Sequence, residues 1–211
     1  KTNDCLKKGD LMEFDTKDRL LDIATDLFAE HGYNAVSVRM VTQKAKINVS
    51  AISYYFKGKD GLYQAVLERQ LELILKALED AKQNKSESPL EKLSFYAAQV
   101  AVIHKKRPLL SRFMTSEIAN PTGIGGETIE RHISQSYQYI QELLQEGIDK
   151  GYFKKTLDPV FASVSLVGIL NFYYITKPLT KKFIPHRVSV GEEYNSQALK
   201  IYLNGILEEK S

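Results

Sequence analysis

The sequence predicts an all-α protein of about nine helices, with a small N-terminal three-helix unit followed by a larger helical domain. Along most of the chain, apolar residues recur every three or four positions, which is the spacing of one helix face. Two pairs, Ser88-Pro89 and Asp158-Pro159, combine a capping side chain with a first-turn proline and predict helix starts. The chain has 211 residues, of which 43% are hydrophobic, so it can bury a full core in one large domain or two small ones.

The first predicted helix follows a polar segment. Residues 1–15 show no apolar periodicity and are predicted to form a flexible arm. From Thr16 to His31 the apolar residues fall on one stripe, and Gly32 is placed to end the helix. The stripe contains Leu20, Ile23, Ala24, Leu27 and Phe28.

Residues 37–59 predict two short helices around a tight turn. Ser37 can cap the first helix and Asn48 the second, whose inward residues are Ile52 and Phe56. Each helix has only about two turns and is too short to be stable alone in water. Tertiary packing must therefore hold both helices in place.

The charge of segment 37–59 distinguishes it from the rest of the chain. It carries five basic residues and no acidic one, whereas the whole chain has 29 basic and 26 acidic residues and a net charge of +3. A local excess of positive charge on a balanced protein indicates a site for an anion. A helical step of about 100° places Val49, Ser50, Ser53 and Tyr54 on one side of the second helix, which suits a DNA major groove. The alternative is an ordinary helical pair whose lysines face solvent.

Three segments carry a resemblance to a known family: residues 27–33 (LFAEHGY), 37–39 (SVR) and 52–62 (ISYYFKGKDGL). Together they resemble the N-terminal domain of the TetR family of one-component transcriptional repressors over residues 16–68. The resemblance implies that Arg39, Val49, Ser50 and Ser53 face base edges, while Tyr54, Tyr55 and Lys59 hold the phosphate backbone. With the cap and the turn included, the predicted DNA-binding residues are Ser37, Arg39, Lys46, Val49, Ser50, Ser53, Tyr54, Tyr55 and Lys59.

Two residues depart from the pattern of that family. Lys46 stands in the turn where the family usually has glycine, so we expect a positive φ that costs about 1 kcal/mol. Ser50 stands where glycine is frequent on the reading helix and adds a hydroxyl at a point of close approach. These departures leave the predicted fold unchanged and bear on the operator sequence.

The fourth to seventh helices are predicted from their apolar stripes and start signals. The fourth runs from about Lys59 to Lys82 and is too long for the N-terminal unit alone, so it connects two modules; its N-terminus favours a phosphate. The others are predicted at Pro89 to about Lys105, Pro108 to Ile118, and about Glu127 to Lys150, with a loop over 120–126.

The predicted domains are an arm (1–15), a helix-turn-helix DNA-binding domain (16–61) and an effector-binding and dimerisation domain (62–211).

The last two predicted helices are apolar on several sides. Residues 159–176 contain no formal charge over eighteen residues, which reaches the length of a membrane span. The polar residues Ser163, Asn171 and Tyr173 interrupt this stretch at the end of a soluble helical pattern, so we expect burial between subunits and no membrane span. A last helix over about 192–208 completes a pair that predicts a two-fold dimer, as the resemblance also implies. The two DNA-binding domains of such a dimer would contact major grooves whose centres are about 34 Å apart, or a multiple of it. Two-fold symmetry at this spacing predicts an inverted-repeat operator in double-stranded DNA.

Helices four to seven and part of eight are predicted to enclose a pocket for a small effector. Aromatic and polar residues are interleaved there, as in sites for small ligands. The candidates are Phe95, Gln99, Phe113, Met114, Glu117, His132, Tyr137, Asn171 and Tyr174, with Tyr96 and His104 nearby in the pattern. For each of them, core packing is the alternative. The stretch Arg112–Thr122 also resembles the CecR-type subgroup of the family.

The sequence gives little support to other classes of function. The single Cys5 cannot form an internal disulfide, and no Cys/His cluster has metal-ligand spacing, so we expect no metal, no cofactor and a cytoplasmic bacterial protein. An enzyme would need a nucleophile and base pair or a phosphate-binding glycine loop, and residues 123–126 lack the spacing of such a loop. A DNA-bound adaptor controlled by a protein partner remains the main alternative to an effector-controlled repressor.

Overall fold

The computed structural model describes residues 3–83, 86, 88–184 and 189–208. Within these residues the protein contains nine α-helices and no strand, which confirms the all-α class. The helices are α1 (Asn3–Ala35), α2 (Val38–Ala45), α3 (Ser50–Phe56), α4 (Lys59–Lys82), α5 (Pro89–Lys106), α6 (Leu110–Ala119), α7 (Gly126–Asp149), α8 (Pro159–Thr180) and α9 (Val190–Ile206).

Helix α1 is longer than the sequence pattern indicates. It begins at Asn3, so the predicted start at Thr16 was wrong, while residues 1 and 2 lie outside the described part of the chain. The flexibility of the segment 1–15 stays a prediction. Extending an existing helix adds a hydrogen bond per residue without a new nucleus, and no proline interrupts this polar segment. The predicted break at Gly32 is present, since this residue has φ 77° and ψ 165° before helical structure resumes up to Ala35.

The predicted helix starts are confirmed, although one of them uses a different hydrogen bond. The Ser37 hydroxyl accepts from the Met40 N–H at 3.2 Å, and Asp158 Oδ1 accepts from the Val160 N–H at 2.8 Å. The Ser88 side chain makes no capping hydrogen bond, and its own N–H donates to Ser86 Oγ at 3.1 Å. The first-turn Pro89 and the local turn therefore start α5.

The chain forms two compact units whose limits differ from the predicted boundary at residues 61 and 62. The first unit contains the residues up to Gln70 together with Ser116–Thr128, and the second contains Leu71–Thr115 and the residues from Ile129 onward. The first half of α4 belongs to the first unit because its Leu62, Tyr63 and other apolar side chains are buried there. The segment 116–128 joins the same unit through a hydrogen bond described below.

The core of the second unit is built from α5, α7, α8 and α9 and the C-terminal part of α4. Its central side chains are fully buried, among them Leu93, Ile140, Leu144, Phe153, Leu166 and Leu170. The aromatic ring of Phe153 packs against the backbone of Gly147, where a Cβ atom would lie 2.1 Å from two ring carbons. Helix α7 therefore requires glycine at this position.

Helix α8 has two different faces, although its sequence is apolar all round. By length and composition it could cross a membrane, since its mean hydropathy reaches 1.5 over eighteen residues, of which only 28% are buried. Ala162, Leu166 and Leu170 face the core, whereas the opposite face leaves Phe161 and Phe172 exposed. Within the described residues this apolar face stays exposed, and exposed apolar surface of this kind indicates an interaction site.

Candidate nucleic-acid interface

Helices α2 and α3 are held on the first unit by their apolar faces. Val41 and Ala45 of α2 and Ile52 of α3 have no exposed surface, and Phe56 is 6% exposed. These are the residues that the helical spacing predicts to face inward. Burial of the inner faces fixes the direction in which the outer faces point.

The outer face of α3 is the surface that the sequence predicts to read DNA. Val49 is 55% exposed and Tyr54 is 73% exposed, and Ser50 and Ser53 between them are also exposed. Tyr55 is half-buried on the flank of the helix. The four outward residues lie together on the solvent side. The contacts of Val49, Ser50 and Ser53 with base edges, and of Tyr54 with the phosphate backbone, stay predictions.

Asn48 organises the start of α3. Its Oδ1 accepts from the Ser50 backbone N–H at 2.9 Å and from the Ser50 hydroxyl at 3.0 Å. Asn48 therefore accepts a hydrogen bond from a backbone N–H that has no partner within α3, as predicted for a capping side chain. The residue that directly precedes α3 is nevertheless Val49. The hydroxyl that Ser50 adds to the predicted reading face donates to Asn48, so its oxygen can serve only as an acceptor for a further partner.

Two lysines close the short helices in the left-handed conformation. Lys46 has φ 54° and its N–H donates to the Gln43 carbonyl at 3.1 Å, while Lys57 has φ 60° and its N–H donates to the Ser53 carbonyl at 3.2 Å. The positive φ expected for Lys46 is confirmed. The positive φ of Lys57 was not predicted.

We expect Lys46→Gly to raise the free energy of unfolding by about 1 kcal/mol, because glycine adopts a positive φ without the Cβ clash. Urea denaturation followed by circular dichroism measures this change. Lys46→Ala is the matched control, since it removes the same ammonium group and keeps the strained φ. Equal stability of the two variants would contradict the strain at this turn.

Lys59 lies at the N-terminus of α4 beside residues that are distant in sequence. Its Nζ is 4.2 Å from the centroid of the Tyr33 ring and 3.5 Å from the Asn34 carbonyl oxygen. The Tyr33 hydroxyl donates to Asp60 Oδ1 at 2.5 Å, and burial together with this hydrogen bond raises the pKa of Tyr33 to about 12. The lysine predicted to bind phosphate is thus positioned by an aromatic ring that sequence spacing did not single out.

An aromatic cluster connects this corner to the segment after α6. The Tyr63 ring lies 5.0 Å from Phe28 and 4.9 Å from Tyr33 between centroids, and its hydroxyl donates to Glu117 Oε1 at 2.6 Å. Glu117 is 6% exposed and also accepts from the Thr122 N–H and hydroxyl at 3.2 Å. Burial and the hydrogen bond to Glu117 raise the pKa of Tyr63 above its ordinary value, so the tyrosine stays a donor.

The predicted effector residues are distributed over both units. A cavity of about 450 Å³ lies in the second unit between α5, the start of α6, α8 and the start of α9, and Tyr174 is the one candidate of the nine that lines it. Glu117 belongs to the first unit and uses its carboxylate in the hydrogen bonds above. Phe113 and His132 are buried, and the partly buried candidates away from the cavity lining are Phe95, Gln99, Met114, Tyr137 and Asn171. This cavity is lined by residues of α5, α6, α8 and α9 and the adjoining loops, and the predicted effector pocket between helices four to seven and part of eight stays a prediction.

Comparisons with known proteins agree with the geometry of the first unit. The family model described as bacterial regulatory proteins, tetR family, matches residues 20–66. A Bacillus subtilis protein named "Probable HTH-type transcriptional regulator YttP" is 31% identical to this chain, covering 92% of it and 95% of that protein. The HTH-type transcriptional repressor KstR2 of Mycolicibacterium smegmatis is 26% identical over 91% of each chain.

A solved structure shows the same fold over nearly the whole chain. The fatty acid degradation regulator FadR from Bacillus halodurans superimposes with a TM-score of 0.70 at 20% identity, covering 89% of this chain and 98% of that one. None of these three proteins or the family model bears on the CecR-type resemblance, which stays a prediction.

Proposed function

Because the chain belongs to the TetR family of bacterial regulatory proteins, we propose that it is a homodimeric repressor released from an inverted-repeat operator by a small, largely apolar or aromatic effector. It is a DNA-binding transcriptional regulator and not an enzyme. We place it in the bacterial cytoplasm, where its operator DNA is found.

The observation that carries the proposal is the outward face of α3 with its basic surroundings. Ser53 and Tyr54 point to solvent from a helix whose other side is buried, and Arg39 is exposed on the neighbouring α2. Lys59 adds a cation at the N-terminus of α4, where free backbone N–H groups favour a phosphate. A groove-reading face flanked by phosphate contacts is the arrangement that helix-turn-helix proteins use.

Binding of genomic DNA fragments tests this assignment directly. We expect the purified protein to retain a small set of fragments at low ionic strength and to protect a two-fold symmetric sequence from nuclease. Retention of no fragment, or equal retention of all fragments at every salt concentration, would contradict a sequence-specific regulator.

The exposed face of α8 supports the homodimer. Phe161, Phe172 and Leu179 are 74%, 61% and 76% exposed, and their spacing places them along one line of the helix. On α9, Ile201 is exposed as well, at 58%. Two-fold pairing of α8 and α9 with their copies would bury this surface in a four-helix interface.

The cavity of the second unit supports control by a small molecule. Its volume of about 450 Å³ is within the range of small-ligand sites. FadR from Bacillus halodurans is named a fatty acid degradation regulator, which agrees with an effector that has a large apolar part. In the proposed mechanism, the effector binds two conformations with different affinity and shifts their balance through α4, which contributes residues to both units.

The second candidate function is a DNA-bound adaptor controlled by a protein partner. The exposed apolar face of α8 would then accommodate that partner instead of a second copy. A monomer in solution that dimerises neither alone nor on DNA would favour the adaptor. Compounds that raise the melting temperature and weaken operator binding would favour the effector-controlled repressor.

We expect Lys59→Ala to weaken binding to every DNA sequence by a similar factor and to lower the salt slope by about one unit, since a phosphate contact releases about one counterion. Fluorescence anisotropy at several salt concentrations measures both quantities. Lys200→Ala is the control, because Lys200 is an exposed lysine on α9. A changed base preference with an unchanged salt slope would contradict the phosphate role of Lys59.

A further inference from the structure

The proposed function does not specify the chemical class of ligand that the cavity of the second unit binds. The cavity is lined by the C-terminal turns of α5, the start of α6, the second half of α8 and the start of α9. All of these residues belong to the same compact unit. Its walls are therefore defined within one body, and their composition indicates what the cavity binds.

One wall is apolar and aromatic. The imidazole of His104 and the ring of Tyr174 are stacked with their centroids 3.8 Å apart and their planes 10° apart. Ala101, Tyr173 and Val190 extend this surface. The wall suits the hydrocarbon or ring portion of a ligand.

The stacked rings are held from both sides. The Tyr174 hydroxyl donates to the Gly191 carbonyl at 3.2 Å, and a Cβ atom on Gly191 would lie 2.9 Å from the Tyr174 oxygen. Behind the other ring, the Asn171 amide donates to the Val167 carbonyl at 2.8 Å, so its Oδ1 is the acceptor for His104 Nε2, also at 2.8 Å. The apolar wall is therefore preorganised.

His104 contributes no positive charge to the cavity at neutral pH. Burial lowers the pKa of this histidine, the hydrogen bond to Asn171 opposes that shift, and the nearby charge of Lys177 lowers the pKa further. The ring is consequently neutral, with the proton on Nε2. The charge of the site comes from lysines.

Three lysines and one glutamate line the opening of the cavity. Lys105 Nζ forms an ion pair with Glu192 Oε1 at 3.0 Å, which neutralises one of the lysines. Lys177 lies in the last turn of α8 and Lys181 is the C-cap residue four positions later, and the described residues supply no ion pair to either of them. Two like charges at this spacing destabilise a helix slightly, and a bound anion would remove that repulsion.

We propose that this cavity binds an amphipathic organic anion, with its carboxylate or phosphate group between Lys177 and Lys181 and its apolar body against the His104 and Tyr174 rings. The proposed binding is argued only from the residues that line the cavity. The role of the bound anion as the effector rests on the proposed function. Among ligands of equal size, the site is expected to prefer the charged molecule over its neutral analogue.

Matched probes test the proposal. Octanoate and octyl phosphate, each compared with uncharged octanamide, are titrated into the full chain by isothermal calorimetry. We expect at least one anion to bind about tenfold or more tightly than octanamide, since each solvent-exposed lysine contributes up to roughly 1 kcal/mol. Raising the ionic strength should reduce this preference in the unaltered protein.

Substitution of Lys177 and Lys181 tests whether the preference for anions arises in the cavity. The double variant Lys177→Gln, Lys181→Gln should bind the anions and octanamide equally, whereas the control double variant Lys155→Gln, Lys200→Gln should bind as the unaltered protein does. Both control lysines are exposed in the second unit and lie outside the cavity lining. Tight binding of octanamide, or an anion preference that survives in the first double variant, would overturn the proposal.

Operator binding separates this inference from the proposed function. If an anion binds through Lys177 and Lys181 and operator affinity also falls, both the site and its effector role are supported. If the anion binds in the same way and operator affinity is unchanged, the site stands and its role as the effector site is refuted.

Discussion

Replacing Phe161 and Phe172 by glutamate together is expected to convert the proposed dimer into a monomer and to weaken operator binding about a hundredfold or more, because two linked DNA-binding domains gain that much from simultaneous engagement. Both side chains lie on the exposed line of α8, at 74% and 61% exposure, so the change does not disturb the core of the subunit. Placing four carboxylates at a two-fold apolar interface leaves charges without partners and repels the copies. Analytical ultracentrifugation and DNA anisotropy measure the two effects.

Ile118→Glu is the matched control for this prediction. Ile118 is 75% exposed on α6, outside the two helices proposed to form the interface. The control should remain dimeric, which excludes a general effect of added charge. A double variant that stays dimeric would show that α8 does not form the interface, and it would direct attention to a different partner for its exposed face.

The second large effect is expected in the core of the second unit. Gly147→Ala should lower the free energy of unfolding by about 2 to 3 kcal/mol, since the added methyl group overpacks a rigid, fully buried ring. The new Cβ would lie 2.1 Å from two carbons of Phe153, whose N–H also donates to the Gly147 carbonyl at 3.2 Å. The ring cannot move away without breaking that backbone contact. Urea denaturation followed by circular dichroism measures the loss.

Two further variants make the Gly147 prediction specific. Gly205→Ala places the same methyl group on a helical glycine with open space around it, so it should be neutral or stabilise by up to about 1 kcal/mol. Combining Gly147→Ala with Phe153→Leu should recover part of the lost stability, because a smaller side chain accepts the methyl group. Loss of stability without any recovery in the double variant would point away from the Phe153 contact.

Most of the helices were predictable because residues close in sequence mark their starts. Asp158 caps α8 through residues two and three positions away, and Ser37 caps α2 through Met40, so each start depends only on neighbours in the chain. The positive φ of Lys46 was predicted from the resemblance instead, because the family usually has glycine at this position of the turn. The start of α1 was not predictable, because its first residues carry no apolar stripe to mark them as helical.

The outward face of α3 was predictable because a helix repeats regularly and its apolar side must face the core. The surroundings of Lys59 were not, since Tyr33 and Asn34 approach it across more than twenty positions of chain. Glu117 illustrates the same limit. Its ionisable side chain among apolar neighbours resembled a ligand contact in the sequence, and its partner Tyr63 is 54 residues away.

The amino-acid order alone determined where most helices begin, which side of most of them is apolar, and that a cationic helical pair lies near the N-terminus, because those properties depend on neighbours within one or two turns. Tertiary packing decided which side of the uniformly apolar α8 is covered, which tyrosines support Lys59, and that the cavity lies between α5, α8 and α9 with Lys177 and Lys181 at its opening. These outcomes depend on contacts between distant segments, which a periodic pattern does not encode.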